Sequence, residues 1–217
     1  MKVCTDSCIF GAWVKEPKAK NILDIGSGTG LLALMLAQKH HGEIDAVEID
    51  ENAYAQTVEN CLNSPWKDLI NVHNIDINRY FPPEGLLYDL IVCNPPFFKN
   101  HLKSADPGKN QALHDTLLTL DQLVFNIKRL LDNDGVFYVM LPPWEARQLD
   151  IKMEKAKLLH NKKLFIQEKE NKEIIRVLTS YSYSQIVPVE RFLIIRNNDN
   201  KYSEDFIGLL KEYYLHL

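Results

Sequence analysis

The sequence predicts an α/β fold, a mostly parallel sheet with helices on both faces. Three observations carry this. Short β-rich apolar runs alternate with helical patterns over roughly the first two-thirds of the chain, a glycine-rich string joins the first run to the first helical pattern, and near the end strand follows strand. Alternation of strand and helix requires crossover connections, which make neighbouring strands parallel and cover both faces of the sheet.

Strand patterns fall at residues 21–25, 44–49, 70–74, 88–93 and 135–141, each bounded by turn or cap residues. Between them, residues 31–39 and 51–63 carry helical patterns. A longer one covers 113–131, with apolar side chains at 117, 120, 123, 124, 127, 130 and 131. After Pro142 and Pro143 a charged helix is expected over 144–159, and then strands over 164–168, 174–183 and 189–196, which suit an antiparallel hairpin closing the sheet. Residues 197–201 form a polar turn, and Ser203, followed by Glu204 and Asp205, opens a last helix with Phe206, Leu209, Leu210 and Tyr213 on one stripe. Repeats and Gly/Ser-rich or Pro-rich linkers are absent, so residues 1–217 are read as one domain.

Composition narrows the class. With 46% hydrophobic and 25% charged residues, nine Gly and ten Pro, the chain is globular rather than disordered or fibrous. No apolar run approaches the ~20 residues of a membrane span and no basic-then-apolar leader opens the sequence, so a soluble, cytoplasmic protein is expected, read as a monomer. Cys4, Cys8, Cys61 and Cys93 form no CxxC pair and no cluster with histidines, which suggests neither a disulfide framework nor a metal. A net charge of −4 argues against a nucleic-acid partner, but its distribution does not. Residues 41–60 hold six acids and no Lys or Arg, 151–176 hold eight basic residues against four acidic, and Lys99, His101, Lys103 and Lys109 are opposed by Asp106 alone. One basic face on an acidic protein is a possible outcome; solvated helix and loop faces are the simpler one.

The most informative string is Asp24-Ile25-Gly26-Ser27-Gly28-Thr29-Gly30, between the first strand and the first helix. Glycines there allow a tight turn and let a ligand approach the backbone. The G-x-G-x-G spacing differs from the dinucleotide fingerprint G-x-G-x-x-G, and an acid precedes it. Asp24 would repel an anion but suits the ammonium of an amino-acid moiety. Glu48, at the tip of the second strand, can accept two hydrogen bonds from a ribose diol. Asp76, after the third strand, is placed to accept from the exocyclic amine of an adenine, although such an acid is also a common turn cap. An amino-acid end, a ribose and an adenine together describe S-adenosyl-L-methionine.

The fourth strand runs into Asn94-Pro95-Pro96-Phe97. Prolines can simply stop a strand, but here they lie at the carboxyl edge near the expected switch point of the sheet, where ligands bind in this architecture. Asn94 precedes a proline and is biased to an extended conformation, and neither proline has an N–H, so the turn is stiff and its carbonyls are uncommitted. The Asn94 side-chain oxygen and the Pro95 carbonyl can each accept a hydrogen from a planar NH₂ group, with Phe97 stacked on the attached ring. Such a nitrogen is a poor nucleophile because its lone pair is delocalised. Two acceptors favour its rehybridisation and aim the pair at a sulfonium methyl.

Together the two strings resemble the class I S-adenosylmethionine-dependent amino methyltransferases, and by themselves they do not separate adenine, guanine and glutamine as targets. Lys2-Val3-Cys4-Thr5-Asp6 through Gly11-Ala12-Trp13 is similar to the Lys-Val-x-Thr-Asp…Leu-Gly-Ala-Trp signature of the bacterial tRNA1(Val) adenine N6-methyltransferases. So are Asn63-Ser64-Pro65-Trp66, residues 71–76, Leu113-His114, Tyr202-Ser203-Glu204 and Tyr213-Tyr214-Leu215, so the resemblance spans the chain. It implies a Rossmann-like, seven-stranded, mostly parallel sheet with an antiparallel C-terminal hairpin, S-adenosyl-L-methionine as cofactor, and methylation of the adenine 3′ of the anticodon, a loop base that can be splayed out cheaply. Basic stretches would track phosphates of the anticodon arm. It further implies that residues 1–14, with Lys2, Thr5 and Asp6, close over cofactor and substrate. The chain departs from the pattern at Cys4, Ser7 and Cys8, where the family favours Gly and aliphatic residues. It also begins directly before Lys2, where the family usually has a leading segment of roughly twenty to thirty residues.

Three other readings compete. A protein glutamine N5-methyltransferase, or an rRNA guanine N2-methyltransferase, shares the Asn-Pro-Pro-aromatic motif; the glutamine enzymes typically add a helical amino-terminal domain. A nicotinamide-dependent dehydrogenase is disfavoured by the glycine spacing and leaves residues 94–97 unexplained. A non-enzymatic RNA-binding module with a relict pocket is opposed by the intact Asp24, Gly26, Gly28, Glu48, Asp76 and Asn94.

Overall fold

The computed structural model describes residues 4–83, 85–95 and 118–215. Helix α1 (Thr5–Trp13) precedes β1 (Asn21–Ile25), α2 (Leu31–Ala37), β2 (Glu43–Glu48), α3 (Glu51–Leu62), β3 (Ile70–Asn74) and β4 (Tyr88–Cys93). Helix α4 (Leu120–Leu130) runs directly into β5 (Leu131–Leu141), followed by α5 (Pro143–Lys155), β6 (Leu159–Lys169), β7 (Ile174–Ser182), β8 (Val189–Arg196) and α6 (Glu204–Leu210).

The strands form one sheet of eight in the order β3-β2-β1-β4-β5-β7-β6-β8. Strand β7 is antiparallel to both neighbours, whereas β8 lies parallel to β6 on its far side. The expected mostly parallel sheet with a closing β6–β7 hairpin is therefore present. The resemblance implied seven strands; the eight strand patterns read from the residues are all present among the described residues, the last of them, 189–196, adding outside β6. Strand β6 begins at Leu159, expected as the last residue of a helix, and not at Leu164, so residues 159–163 are strand. Their alternation is weak, but pairing with β7 on one side and β8 on the other holds them extended, and buried Asn161 donates its Nδ2 to Ser182 Oγ at 2.8 Å. Helix α4 starts at the Thr119 capping box with Gln122. The stretch 113–117 lies outside the described residues.

Alternate side chains of the central strands feed two cores, the period-two consequence of a sheet covered on both faces. Ile22, Ile44, Leu90, Val92 and Met140 pack with Ile9 and Phe10 of α1, Leu36 of α2 and Phe206 and Leu210 of α6. On the other face Leu23, Ile25, Ile91, Phe137 and Val139 meet Leu123 and Ile127 of α4 and Leu149 and Met153 of α5. Among the described residues no helix is long and apolar enough to cross a membrane.

The chain builds β1, β2 and β3 outward in one direction and β4 onward in the other, so the order reverses between β1 and β4. In the register, Val47, Ile25 and Cys93 form one row across β2, β1 and β4. Glu48, Gly26 and Asn94 therefore leave the sheet side by side, at the switch point where open α/β sheets bind ligands.

Candidate active site at the carboxyl edge of β1, β2 and β4

Gly26, Gly28 and Gly30 have φ of 72°, 61° and 78°. A side chain at any of them would be strained, so the G-x-G-x-G spacing is a conformational requirement. The loop is fixed at both ends. The Gly26 and Ser27 N–H groups donate to the Val47 carbonyl at 2.8 and 3.2 Å, Thr57 Oγ1 donates to the Gly28 carbonyl at 2.8 Å and Asn60 Nδ2 to that of Thr29 at 2.8 Å. A Cβ at Gly26 would meet nothing within 4 Å, which marks open space in front of the turn.

Three polar side chains converge there. Asp24 is fully buried; its Oδ2 accepts the Ala33 N–H at 3.2 Å, and its Oδ1 has no partner among the described residues. Burial pushes its pKa up to about 7, with the Ala33 N–H opposing and the charge of Glu48 adding. Glu48 accepts the Gly28 N–H at 2.8 Å on Oε2 and the Asp50 N–H at 2.9 Å on Oε1. It thus pins the glycine loop, a task the sequence does not disclose, while each oxygen keeps a second lone pair. Asn94 donates Nδ2 to Ser7 Oγ at 3.0 Å, and its Oδ1 is buried without a partner among the described residues.

The remaining expected residues are more dispersed. Asp76 follows β3 and caps a 3₁₀ turn (Ile77–Arg79), accepting Asn78 N and Nδ2 on Oδ1, each at 2.9 Å. Thr5 opens α1 and hydrogen-bonds Tyr214, while Asp6 Oδ2 lies 3.0 Å from Arg176 Nε on β7. Pro95 is buried. Lys2, Pro96 and Phe97 lie outside the described residues, as does the basic stretch at 99–109. In the other basic stretch, Lys152, Lys162, Lys163 and Arg176 face Asp121, Glu16, Asp150 and Asp6 at 2.6, 3.8, 2.6 and 3.0 Å. Half of its eight cations are thus matched by acids from elsewhere in the chain.

Two residues of structural weight were not announced by the sequence. Lys39 Nζ donates to the carbonyls of Gly11, Ala12 and Val14 at 2.6, 3.0 and 3.2 Å, capping the end of α1. The other is Ser7, on the first turn of α1. Its only signal in the sequence is that, with Cys4 and Cys8, it stands where the resembling family favours Gly and aliphatic residues.

A glycine loop fixed at the switch point, with a partnerless buried acid, an acid at the next strand and an Asn-Pro turn across from it, is a site of the methyltransferase class. The fold agrees. A predicted O-methyltransferase of Agrobacterium tumefaciens superimposes with a TM-score of 0.72 over 97% of both chains at 13% identity. The glycopeptide N-methyltransferase MtfA, solved with S-adenosyl-L-homocysteine, gives 0.58 over 83% of this chain and 86% of its own, at 10% identity. Residues 5–141 match the Methyltransferase small domain family. Relatives named tRNA1(Val) (adenine(37)-N6)-methyltransferase, from Cytophaga hutchinsonii and Phocaeicola vulgatus, are each 40% identical across 100% of this chain and 92% of their own. The chain belongs to that tRNA (adenine-N6)-methyltransferase family.

Proposed function

We propose that this protein transfers a methyl group from S-adenosyl-L-methionine to the exocyclic N6 of adenine 37, 3′ of the anticodon in tRNA1(Val), acting as a cytoplasmic monomer on the anticodon arm. The observation that carries the reading is Asn94 Oδ1, a buried acceptor without a partner among the described residues, one residue past β4 and beside the glycine loop. A buried orphan acceptor is costly unless a ligand satisfies it, and an NH₂ group is the matching donor.

The residues present fit the cofactor. Asp24 Oδ1, buried and partnerless, suits its ammonium; the open space before Gly26 admits it close to the backbone; Glu48 has lone pairs left for a ribose diol; Asp76 follows the adjacent strand for the adenine amine. When bound, the cofactor supplies an electrophilic methyl group on a sulfonium. The protein's part is positional and electrostatic. Asn94 Oδ1 and the Pro95 carbonyl accept the two hydrogens of the target nitrogen, drawing it from planar toward pyramidal. They favour the positive charge that builds on nitrogen as the new bond forms. No base is required beforehand, because the methylated nitrogen becomes acidic and gives up its proton readily. Thr5 and Asp6 belong to the segment over the site in this reading, residues 1–217 act as one domain, and Lys2, Pro96 and Phe97, which lie outside the described residues, keep the roles that the sequence motifs imply.

The test is mass spectrometry of nucleosides after incubation with S-adenosyl-L-methionine and unmodified bulk tRNA. N6-methyladenosine above a no-enzyme control, mapped to position 37 of tRNA1(Val), is the expected product. Cofactor binding without any methylated adenine would sink the reading and leave a protein glutamine or rRNA guanine as the target.

A further inference from the structure

Asn94 can serve as an acceptor toward substrate only if its carboxamide is turned the right way. The two ends of that group have nearly the same shape and opposite polarity. A half-turn of the side chain would aim the NH₂ of Asn94 at the NH₂ of the substrate, donor against donor. Something must hold the productive orientation. The described atom touching the other end of the amide is Ser7 Oγ, which accepts from Nδ2 at 3.0 Å. The Ser7 hydroxyl lies 3.1 Å from Cys4 Sγ. With the Ser7 hydrogen directed at that sulfur, the oxygen presents lone pairs to Asn94.

We propose that Ser7 is a positioning residue, whose hydroxyl holds the Asn94 amide with Oδ1 turned toward the substrate nitrogen. The inference rests on the reading of Asn94 as the acceptor for the target NH₂. The support beneath Ser7 is firm. Asp6 is tied to Arg176 of β7, Thr5 and Cys8 hydrogen-bond Tyr214, and Lys39 caps three carbonyls at the far end of α1. An oxygen on a helix held at three places along the chain can hold an amide; one on a loose segment could not.

The test compares kcat at saturating tRNA and cofactor for wild type, Ser7→Ala, Ser7→Thr, Asn94→Ala and the Ser7→Ala/Asn94→Ala pair, with cofactor Kd measured by calorimetry. Ser7→Ala retains helix propensity and folds. It is expected to lower kcat about 3- to 10-fold, the worth of one hydrogen bond, with the KM for tRNA and the cofactor Kd unchanged. Ser7→Thr keeps the hydroxyl and should restore most of the rate. In the Asn94→Ala background, Ser7→Ala should cost nothing further, because there is no amide left to orient. Wild-type kcat in Ser7→Ala, or the same fold-loss in both backgrounds, would overturn the role of Ser7. A wild-type rate in Asn94→Ala would instead overturn the reading of Asn94 itself, so the two failures are distinguishable.

Discussion

Asp24 is the described site residue whose pKa burial moves close to neutral pH. In the free protein its carboxyl titrates near 7, because burial disfavours the charged form more than the Ala33 N–H favours it. A bound ammonium favours the carboxylate, so below about pH 7 the complex must release a proton that the free protein holds. Cofactor affinity should therefore rise with pH and level off above that value, falling by about tenfold per pH unit below it. The ligand's own ammonium, with a pKa of about 8, sets a separate descending limb. Calorimetric titration of Asp24→Asn should show weaker binding with the rising limb gone and the descending limb kept; an unchanged profile would place the ammonium elsewhere. Glu48 answers a different question. Because it holds both the Gly28 and the Asp50 N–H, Glu48→Ala removes the proposed ribose acceptor and frees the loop together. Cofactor Kd should rise roughly tenfold to a hundredfold. An unaltered Kd would show that neither task bears on binding.

At the scale of elements, α1 shows where the sequence stops being readable. Its run from Cys8 to Ala12 is buried throughout, and Cys4 before it is extended and makes no side-chain cap, so neither an amphipathic period nor a start signal announces a helix. Its contact with Asn94 spans 87 positions of sequence and leaves no local trace. The glycine loop was legible because φ-positive glycines, the strand before and the helix after are all local signals. The start of β6 was not, because pairing with β7 and β8 overrides a polar sequence. The packing of α1 is tight enough to test. A Cβ at Gly11 would lie 2.5 Å from Met35 Sδ and 3.0 Å from Met35 Cβ on α2; the thioether can swing away, but the Cβ moves only with its backbone. Gly11→Ala should therefore cost about 1–3 kcal/mol in denaturant unfolding despite the better helix propensity of alanine. A gain in stability would mean that α1 can shift away from α2 freely, and that Ser7 does not sit on a rigid support.

For the whole molecule the open question is how a chain of net charge −4 holds a polyanion. A residue that neutralises a phosphate must bring a charge not already neutralised within the fold. Lys152 and Lys163 are each 2.6 Å from a carboxylate, and Asp150, the partner of Lys163, also accepts from Tyr181 Oη at 2.8 Å. These cations belong to the architecture of α5, β6 and β7. Lys155, Lys157, Lys169 and Lys172, from the same stretch, have no acid partner among the described residues and are the ones free to meet RNA. Replacing Lys152 and Lys163 together by Met should leave the tRNA KM within about twofold, and the slope of log affinity against log salt should shrink by less than about one. Stability should fall by about 1–3 kcal/mol, nearly all of it from Lys163, since Asp150 would be left half-buried without its cation, whereas Asp121 is well exposed. A slope smaller by about two, with stability intact, would put both lysines on phosphates. The basic face suggested by residues 151–176 would then be a docking surface, and the ion pairs within it would be contacts that open when tRNA arrives.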